Sequence, residues 1–287
     1  MKVDSLTHTI NRYIKEINKR ITKRYLTIKG HIGNNVINSF WWNSEKNFGD
    51  LLVPLLLRVY GFTPIHTTIK QSDAVCIGSV LQWLDEDYDG YILGCGLLYE
   101  TKMCFPNAKI LALRGKLTWE RLGKPKNVVL GDPGLLIGKL NITRKKKKFV
   151  IGLVPHYLDK TDGRLHNIRQ RAPKDILLID VQQNPIKTIS EIDKCEYILS
   201  SSLHGIVASD ALGIPNNWML LSKKSTGMFK FHDYASVLKT IQNPCVLDGR
   251  ESLSQLIKYT HSVSPQVEEV KIKLNCVYNK FSKNFKS

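Results

Sequence analysis

The chain of 287 residues lacks a run of about 18 apolar residues, and its start lacks an apolar signal core. A helix needs about 20 such residues to span a bilayer, and a secretory signal needs an apolar core of about 7 to 15. These absences exclude a membrane-spanning protein and secretion by means of a cleaved signal peptide. We therefore expect a cytoplasmic protein.

The cysteines lack the spacings that build zinc sites or redox pairs, since no two of them form a CxxC motif. Several lie inside apolar, strand-like runs, which favours reduced and mostly buried thiols. No cluster of His, Asp and Glu shows metal-ligand spacing either, so we expect no bound metal. The cysteines are Cys76, Cys95, Cys104, Cys195, Cys245 and Cys276.

Acidic residues are scarce: 25 Asp and Glu stand against 42 Lys and Arg, for a formal net charge of +17. Such an excess attracts nucleic acid, an anionic membrane surface or acidic glycans, unless it reflects only a basic proteome. The chain has no recognisable nucleic-acid motif, and its basic residues do not interleave with aromatic ones on one sheet face. We therefore expect no nucleic-acid partner, and a filter-binding assay with steep salt dependence would contradict this.

A basic amphipathic helix is predicted over residues 5–28, within an arm that we assign to residues 1–30. Ile10, Ile14, Ile17, Ile21 and Tyr25 recur at helical spacing with lysines and arginines between them. One interpretation docks this helix on anionic lipid. The other, which we favour, packs it on the protein with a solvated basic face. Co-sedimentation with anionic liposomes separates the two.

The rest of the chain is organised around residues 196–215. An apolar run ends there in three serines, residues 200–202, and His204 follows before helical spacing resumes. The pattern predicts a buried strand, a turn and a helix, with the serines as helix caps. Such turns form the ligand crevice of an open parallel sheet, where free N–H groups attract anions. We expect His204 to face this crevice and to exchange protons there.

Strand, turn and helix patterns recur over residues 31–142 and predict a first α/β domain. Residues 36–42 are β-rich, and the turn that carries Asn47 and Asp50 precedes an apolar helix. Residues 74–80 and 91–97 are strand-like and end in glycines without completing a GxGxxG motif. They are therefore weak indicators of a dinucleotide site.

Arg114 follows a short predicted strand, residues 109–113, and opens a helix. A guanidinium at that position is well placed to bind a carboxylate or phosphate, and a structural salt bridge is the alternative. Asp132 precedes a proline, and we interpret it as fixing a turn rather than doing chemistry.

A second α/β domain is predicted over residues 149–250, after a basic linker at residues 143–148. His156 leaves its first strand at the crevice end. Residues 229–234 interleave polar and aromatic side chains in a way that a plain helix would not need. Residues 252–275 are predicted to be helical, within a C-terminal helical return and basic tail over residues 251–287.

Short motifs spread over residues 40–240 resemble, in order and spacing, those of the polysaccharide pyruvyl transferase family. Each motif alone is weak, and the ordered set is fairly specific. The motifs are Asn47-Phe-Gly-Asp50, Ile77-Gly-Ser79, Gly94-Cys-Gly96, Arg114-Gly115, Gly131-Asp-Pro133, Pro155-His-Tyr157, Ser201-Ser-Leu-His-Gly205, Phe229-Lys-Phe231 and Asp233-Tyr234.

This resemblance implies two Rossmann-like domains facing a central cleft, a glycosyltransferase-B-like arrangement. It implies that phosphoenolpyruvate is the donor and co-substrate, that no cofactor is needed, and that the pyruvyl group bridges two sugar hydroxyls as a cyclic ketal. The product would enter a bacterial capsule or exopolysaccharide. Acceptors of such pathways are commonly lipid-linked oligosaccharides, so the basic arm and tail would hold the enzyme peripherally at the inner leaflet of the cell membrane.

The resemblance also implies roles for individual residues. His204 is expected to be the general acid or base, and Arg114 is expected to bind the donor together with Ser201, Ser202 and Leu203.

The chain departs from the family at Ser202, where some members carry arginine. This chain therefore lacks one cation that would bind the donor. We hypothesise that Lys230 supplies it, with Lys223 as the less favoured substitute. Asn47, Asp50, His156, Asp233 and Tyr234 are candidates for acceptor binding or for supporting the site.

A nucleotide-sugar-dependent glycosyltransferase of similar build is the alternative function, since fold alone does not determine function. Such an enzyme needs a base-and-ribose pocket, commonly with an acidic residue near the second-domain crevice, and the serine-histidine turn shows none. Screening phosphoenolpyruvate against nucleotide sugars as donors separates the two functions.

Overall fold

The computed structural model describes residues 35–221, 227–240 and 243–285. The predicted basic arm and Lys223 lie outside these residues. Within the described ranges, no helix combines the length and apolar character needed to cross a bilayer. All six cysteines are free thiols, and four of them are buried.

Two parallel β-sheets and their helices form an α/β fold, as the sequence patterns predict. The first sheet contains β1 (Asn35–Phe40), β2 (Phe62–His66), β3 (Ala74–Val75), β4 (Tyr91–Leu93), β5 (Lys109–Leu113) and β6 (Val129–Leu130). The second sheet contains β7 (Phe149–Val154), β8 (Ile176–Leu178), β9 (Cys195–Ser200), β10 (Asn216–Leu220) and β11 (Cys245–Val246). The helices are α1 (Phe48–Val59), α2 (Lys116–Arg121), α3 (Gly163–Arg171), α4 (Pro185–Asp193), α5 (Leu203–Leu212), α6 (Phe229–Leu238), α7 (Leu253–Lys258) and α8 (Gln266–Asn284).

Each sheet has one position where the strand order reverses. The order is β2-β1-β3-β4-β5-β6 in the first sheet, so the reversal lies between β1 and β3. In the second sheet the order is β11-β10-β9-β7-β8, and the reversal lies between β7 and β9. Loops that leave the carboxyl ends of such strands diverge to opposite faces and open a crevice. Both sheets therefore offer a ligand site at a predictable place.

Both faces of the second sheet are buried, as is usual for parallel sheets. Ile198 and Leu199 are neighbours on β9, both fully buried, and they belong to two different apolar clusters. The cluster that contains Ile198 also contains Ile37 and Leu93 of the first sheet. One apolar core therefore joins the two sheets, while the glycosyltransferase-B-like division into two domains stays a prediction.

The predicted linker, residues 143–148, is tied to the second sheet rather than fully solvated. Arg144 pairs with Asp193 at 3.1 Å, and Lys147 donates a hydrogen bond of 2.7 Å to the carbonyl of Cys195. Burial also lowers the pKa of Lys147. These contacts fix where the chain enters β7.

The C-terminal segment contains two helices where the sequence predicted one, because Pro265 stands at the start of α8 and cannot continue a preceding helix. Helix α8 returns to the first sheet. The Tyr278 hydroxyl donates to the Leu93 carbonyl at 2.9 Å, and the Phe281 ring lies 5.1 Å from Phe62 and 4.9 Å from Tyr91, centroid to centroid. Residues far apart in sequence therefore cover the same sheet.

Two local features go beyond the sequence analysis. Strand β2 contains Pro64 and lies at the sheet edge, where proline is tolerated. Residues 229–234, noted for their interleaved polar and aromatic side chains, form the first half of α6. Phe231, Tyr234 and Leu238 recur at helical spacing and are all buried.

Candidate active site

A pocket of about 190 Å³ lies between the loops that follow β1, β3, β7 and β9. These four strands flank the two points of order reversal, so the pocket occupies the crevices of both sheets at once. The sequence-predicted site residues that line it are Asn47, Asp50, His156, Ser202, Leu203, His204 and Lys230.

His204 lies in the first turn of α5, and only 7% of its surface is exposed. Its Nε2 atom is 3.6 Å from Oδ2 of Asp132, too far for a hydrogen bond, and neither atom has a hydrogen-bond partner among the described residues. The other carboxylate oxygen of Asp132 accepts a hydrogen bond of 2.8 Å from the backbone of Gly134. Asp132 therefore fixes a turn, as predicted, and also faces the histidine, which the sequence reasoning missed.

The opposite edge of the His204 ring packs against the backbone of α1 at Gly49. A β-carbon at position 49 would overlap the ring around Nδ1. Glycine is thus required here by the close approach of the imidazole. The same helix turn carries Asn47 and Asp50, whose side chains form a hydrogen bond of 2.6 Å from Asn47 Nδ2 to Asp50 Oδ2.

Burial shifts the proton equilibria of three pocket residues. It raises the pKa of Asp50, against the opposing charge of His204 and the hydrogen bond from Asn47. It lowers the pKa of His156 to about 3, helped by the charges of Lys230 and His204. Burial, together with the charge of Arg114, lowers the pKa of Lys230 to about 7. Around neutral pH the pocket therefore holds a neutral His156 and a Lys230 that can gain or lose its charge.

The serines before α5 do not cap it as expected. Ser202 lines the pocket at the N-cap position, but its side chain makes no capping hydrogen bond. Ser201 lies behind the pocket wall, where its hydroxyl donates to Asp159 at 2.7 Å and accepts from the His156 backbone at 2.8 Å. The first N–H groups of a helix have no intrahelical acceptor, so an anion in the pocket could bind at this end of α5.

Arg114 lies beside the pocket and is completely buried. Its guanidinium donates to Asp233 at 3.0 Å, to the hydroxyl of Ser79 at 2.6 Å and to the carbonyl of Leu97 at 2.5 Å. This geometry matches the salt-bridge alternative that the sequence left open. Ser79 lines the pocket and separates Arg114 from it. Donor binding by Arg114 stays a prediction, and it would require the guanidinium to reach the donor beside the Ser79 hydroxyl or through it.

Asp233 and Tyr234 are also fully buried and connect α6 to other elements. Asp233 accepts from the backbone and hydroxyl of Thr118 on α2, at 2.8 and 2.6 Å, as well as from Arg114. The Tyr234 hydroxyl donates to Asp210 on α5 at 2.7 Å. Neither side chain lines the pocket, and a role in acceptor binding stays a prediction.

Aromatic side chains that the sequence reasoning did not single out line the pocket on its first-sheet side. The rings of Trp42 and Trp83 lie 5.2 Å apart at 35°, and Trp83 is 41% exposed. Tyr157 lines the pocket from the second-sheet side. Residues 35–221, 227–240 and 243–285 contain no group of three or more His, Cys, Asp or Glu side chains placed to hold a metal ion.

Comparison with known proteins complements this geometry. The family model described as polysaccharide pyruvyl transferase matches residues 4–220 of the chain, which include the strand ends that build the pocket. The chain belongs to the polysaccharide pyruvyl transferase family. The resemblance that the short motifs indicated is thereby confirmed.

Two proteins are similar to this chain in sequence. An uncharacterized protein of Acanthamoeba polyphaga mimivirus is 33% identical over 157 residues, which cover 51% of this chain and 54% of that protein. Succinoglycan biosynthesis protein ExoV of Rhizobium meliloti (strain 1021) is 26% identical over 214 residues, 71% of this chain and 66% of that protein. The matches thus span about half to two thirds of the relatives' own lengths.

A similar solved structure is that of an uncharacterized protein from Klebsiella pneumoniae subsp. pneumoniae NTUH-K2044. It has a TM-score of 0.43 and 12% sequence identity, and the match covers 80% of this chain and 98% of that one. A likeness of this size adds nothing to the functional argument.

Proposed function

We propose that this protein transfers the pyruvyl group of phosphoenolpyruvate to two hydroxyls of one sugar, as a cyclic ketal, during synthesis of a surface polysaccharide. Family membership supports pyruvyl transfer, and the name of ExoV supports polysaccharide biosynthesis. The observation that carries the proposal is the meeting of His204 and Lys230 in one pocket at the order reversals of both sheets.

The donor's chemistry defines what the pocket must supply. Protonation of the methylene carbon of phosphoenolpyruvate makes its C2 electrophilic, and a sugar hydroxyl adds there. Loss of phosphate regenerates the electrophile, and a second hydroxyl closes the ketal. Of the two hydroxyl protons, one balances the proton added to carbon and the other leaves with phosphate. The reaction therefore needs proton transfer and cationic groups, with no oxidant or reductant.

His204 is the proposed group that moves these protons. Its Nε2 faces the carboxylate of Asp132 at 3.6 Å, so the carboxylate can orient the ring and stabilise the imidazolium when it forms. The ring edge around Nδ1 lies against Gly49. Contacts on two sides hold the imidazole ring in one position, as positioned acid-base catalysis requires.

Lys230 and the first turn of α5 are the proposed partners of the donor's phosphate and carboxylate. Both border the pocket, and a single buried Arg114, already paired with Asp233, does not supply the charge that two anionic groups need. A charged hydrogen bond and a helix N-terminus both favour anions.

Replacing Lys230 with methionine should raise the KM for phosphoenolpyruvate about 10- to 100-fold, because a hydrogen bond to a charged group is removed. The fold should not suffer, since methionine keeps the chain length and removes a cation whose burial is unfavourable. Steady-state phosphate release at varied donor concentration measures the KM, and thermal unfolding provides the control. An unchanged donor KM would contradict the role of Lys230.

The same residue predicts a pH dependence. Because the pKa of Lys230 lies at about 7, its ammonium form predominates below that pH and is lost above it. The wild-type KM for the donor should therefore rise as the pH increases through about 7. The Lys230→Met variant lacks this titration, so the ratio of its KM to the wild-type KM should shrink with increasing pH. A ratio of variant to wild-type KM that stays constant from pH 6 to 9 would argue against a titrating Lys230 in donor binding.

Replacing Gly49 with alanine should lower kcat by about 10²-fold, because the new methyl group displaces the His204 ring from its position. Helix propensity cannot explain such a loss, since alanine favours a helix over glycine. The matched control is Gly163→Ala at the start of α3, where a β-carbon meets no atom within 4 Å. Normal kcat in Gly49→Ala would show that the ring position is not critical.

The proposed function is tested by phosphate release from phosphoenolpyruvate with purified protein and a panel of galactose, mannosamine and glucuronic acid glycosides. Release that depends on an acceptor, with a ketal product seen by mass spectrometry, would support it. Release of nucleotide from a sugar nucleotide, with no turnover of phosphoenolpyruvate, would instead establish a glycosyltransferase.

Attachment of the acceptor to lipid, and contact of the protein with anionic membrane, stay predictions. The basic arm that would make that contact lies outside the described residues. Liposome co-sedimentation that is indifferent to anionic lipid content would contradict the membrane contact.

A further inference from the structure

The first-sheet side of the pocket carries an aromatic surface that the donor chemistry does not use. Trp42 follows β1, and Trp83 ends a single turn, Leu81–Trp83, that follows β3. Both rings line the same pocket as His204 and Lys230, which come from the second half of the chain. Phosphoenolpyruvate carries two anionic groups, and indole rings offer them no cation.

Trp83 is held rigidly although it is exposed. Leu81 and Leu84 on either side of it are buried at 0% and 5% exposure, and the Phe40 ring meets Trp83 edge-on at 6.3 Å and 88°. Trp42 supports it at 5.2 Å. Two adjacent indole rings that line a pocket, one of them 41% exposed, form an apolar patch of the kind that marks a ligand groove.

We propose that Trp83, supported by Trp42, is the stacking platform for the acceptor, and that the acceptor is a neutral pyranose. This inference rests on the proposed function. A pyranose ring has an apolar C–H face that packs on an indole ring, while its hydroxyls project from the ring edge toward His204. The face of an aromatic ring is electronegative, so it attracts polarised C–H groups. The indole rings offer no cation to a carboxylate on the acceptor, and Lys230 is assigned to the donor, so a uronic acid is disfavoured.

The test compares leucine and phenylalanine at position 83. Trp83→Leu keeps apolar bulk but removes the flat ring, and should raise the KM for methyl β-galactoside or methyl α-mannoside about tenfold. Trp83→Phe keeps a ring and should stay within about threefold of wild type. The matched control is Trp119→Leu, outside the pocket, whose indole donates to the Pro125 carbonyl at 3.0 Å. It should leave the acceptor KM unchanged.

Binding is measured separately from turnover by saturation-transfer difference NMR with the same methyl glycosides. Saturation should concentrate on the C–H protons of one ring face and should weaken in Trp83→Leu. If phosphoenolpyruvate is never consumed but this binding persists, the proposed function fails and the platform stands. If ketal forms and Trp83→Leu binds and turns over glycosides normally, the platform fails and the function stands. Tighter binding of methyl glucuronide than of the neutral glycosides would overturn the choice of a neutral sugar.

Discussion

Replacing His204 with alanine is expected to lower the rate of pyruvyl transfer by about 10²- to 10⁴-fold, the usual contribution of a positioned acid-base group. The reason is specific to its setting. The ring is almost buried, lies in the pocket and faces the carboxylate of Asp132, so neither water nor another pocket residue replaces it easily. His156 lines the same pocket, but its pKa of about 3 leaves it without a proton to donate from its cationic form near neutral pH.

Phosphate release at saturating donor and acceptor measures this loss. His166→Ala, an exposed histidine on α3, is the matched control and should retain full activity. Asp132→Asn keeps an oxygen for the Gly134 backbone but removes the charge that faces Nε2. It should lower kcat at an unchanged melting temperature, because the ring loses the charged group that orients it. Near-normal turnover by His204→Ala with a normal melting temperature would exclude the histidine from the chemistry.

Replacing Asp233 with alanine should destabilise the fold by about 3–5 kcal/mol, as expected when one partner of a buried ion pair is removed. Arg114 would then keep its charge at 0% exposure without a carboxylate, and two groups of Thr118 would lose their acceptor. Helices α2 and α6 would keep the hydrogen bond from the Lys116 backbone to Ser236 but lose the two that Thr118 donates. Urea unfolding followed by circular dichroism measures the change.

A surface ion pair is the matched control for this experiment. Asp85 pairs with Lys70 at 2.8 Å, and both side chains are largely exposed. Asp85→Ala should therefore leave the unfolding midpoint unchanged, because exposed pairs are weakened by solvent. If Asp233→Ala were as stable as Asp85→Ala, the hydrogen bonds to Ser79 and Leu97 would have to satisfy Arg114 alone.

The sequence predicted the structure best where it depends on residues adjacent in the chain, as in single strands and turns. Strand β5 was predicted with the bounds that the structure shows, because a short apolar run flanked by polar turns has few alternatives. The rule that ligands bind at the carboxyl ends of parallel strands then brought residues from four distant turns to one pocket. His204 could be expected there from its position after β9, whereas Lys230 was proposed only because a family arginine is missing.

Contacts between segments far apart in the chain could not be predicted from the sequence. The capping role of Asp132 follows from its proline neighbour, but its second oxygen meets a histidine 72 residues later in the chain. The burial of Arg114 depends on Asp233, 119 residues away. Trp83 carried no local sign of function, because a tryptophan in a turn is equally compatible with a core position. Its exposure became visible only when the pocket around it was assembled.

The return of α8 to the first sheet affects how the protein is made. Ribosomes complete β6 when residue 130 is added, yet Tyr278 and Phe281, which cover β4 and its neighbours, follow about 150 residues later. At about 5–20 residues per second this leaves the apolar face open for roughly 8–30 seconds. A nascent chain therefore carries one uncovered sheet face for about half of translation, and chaperones have a defined surface and interval in which to bind it.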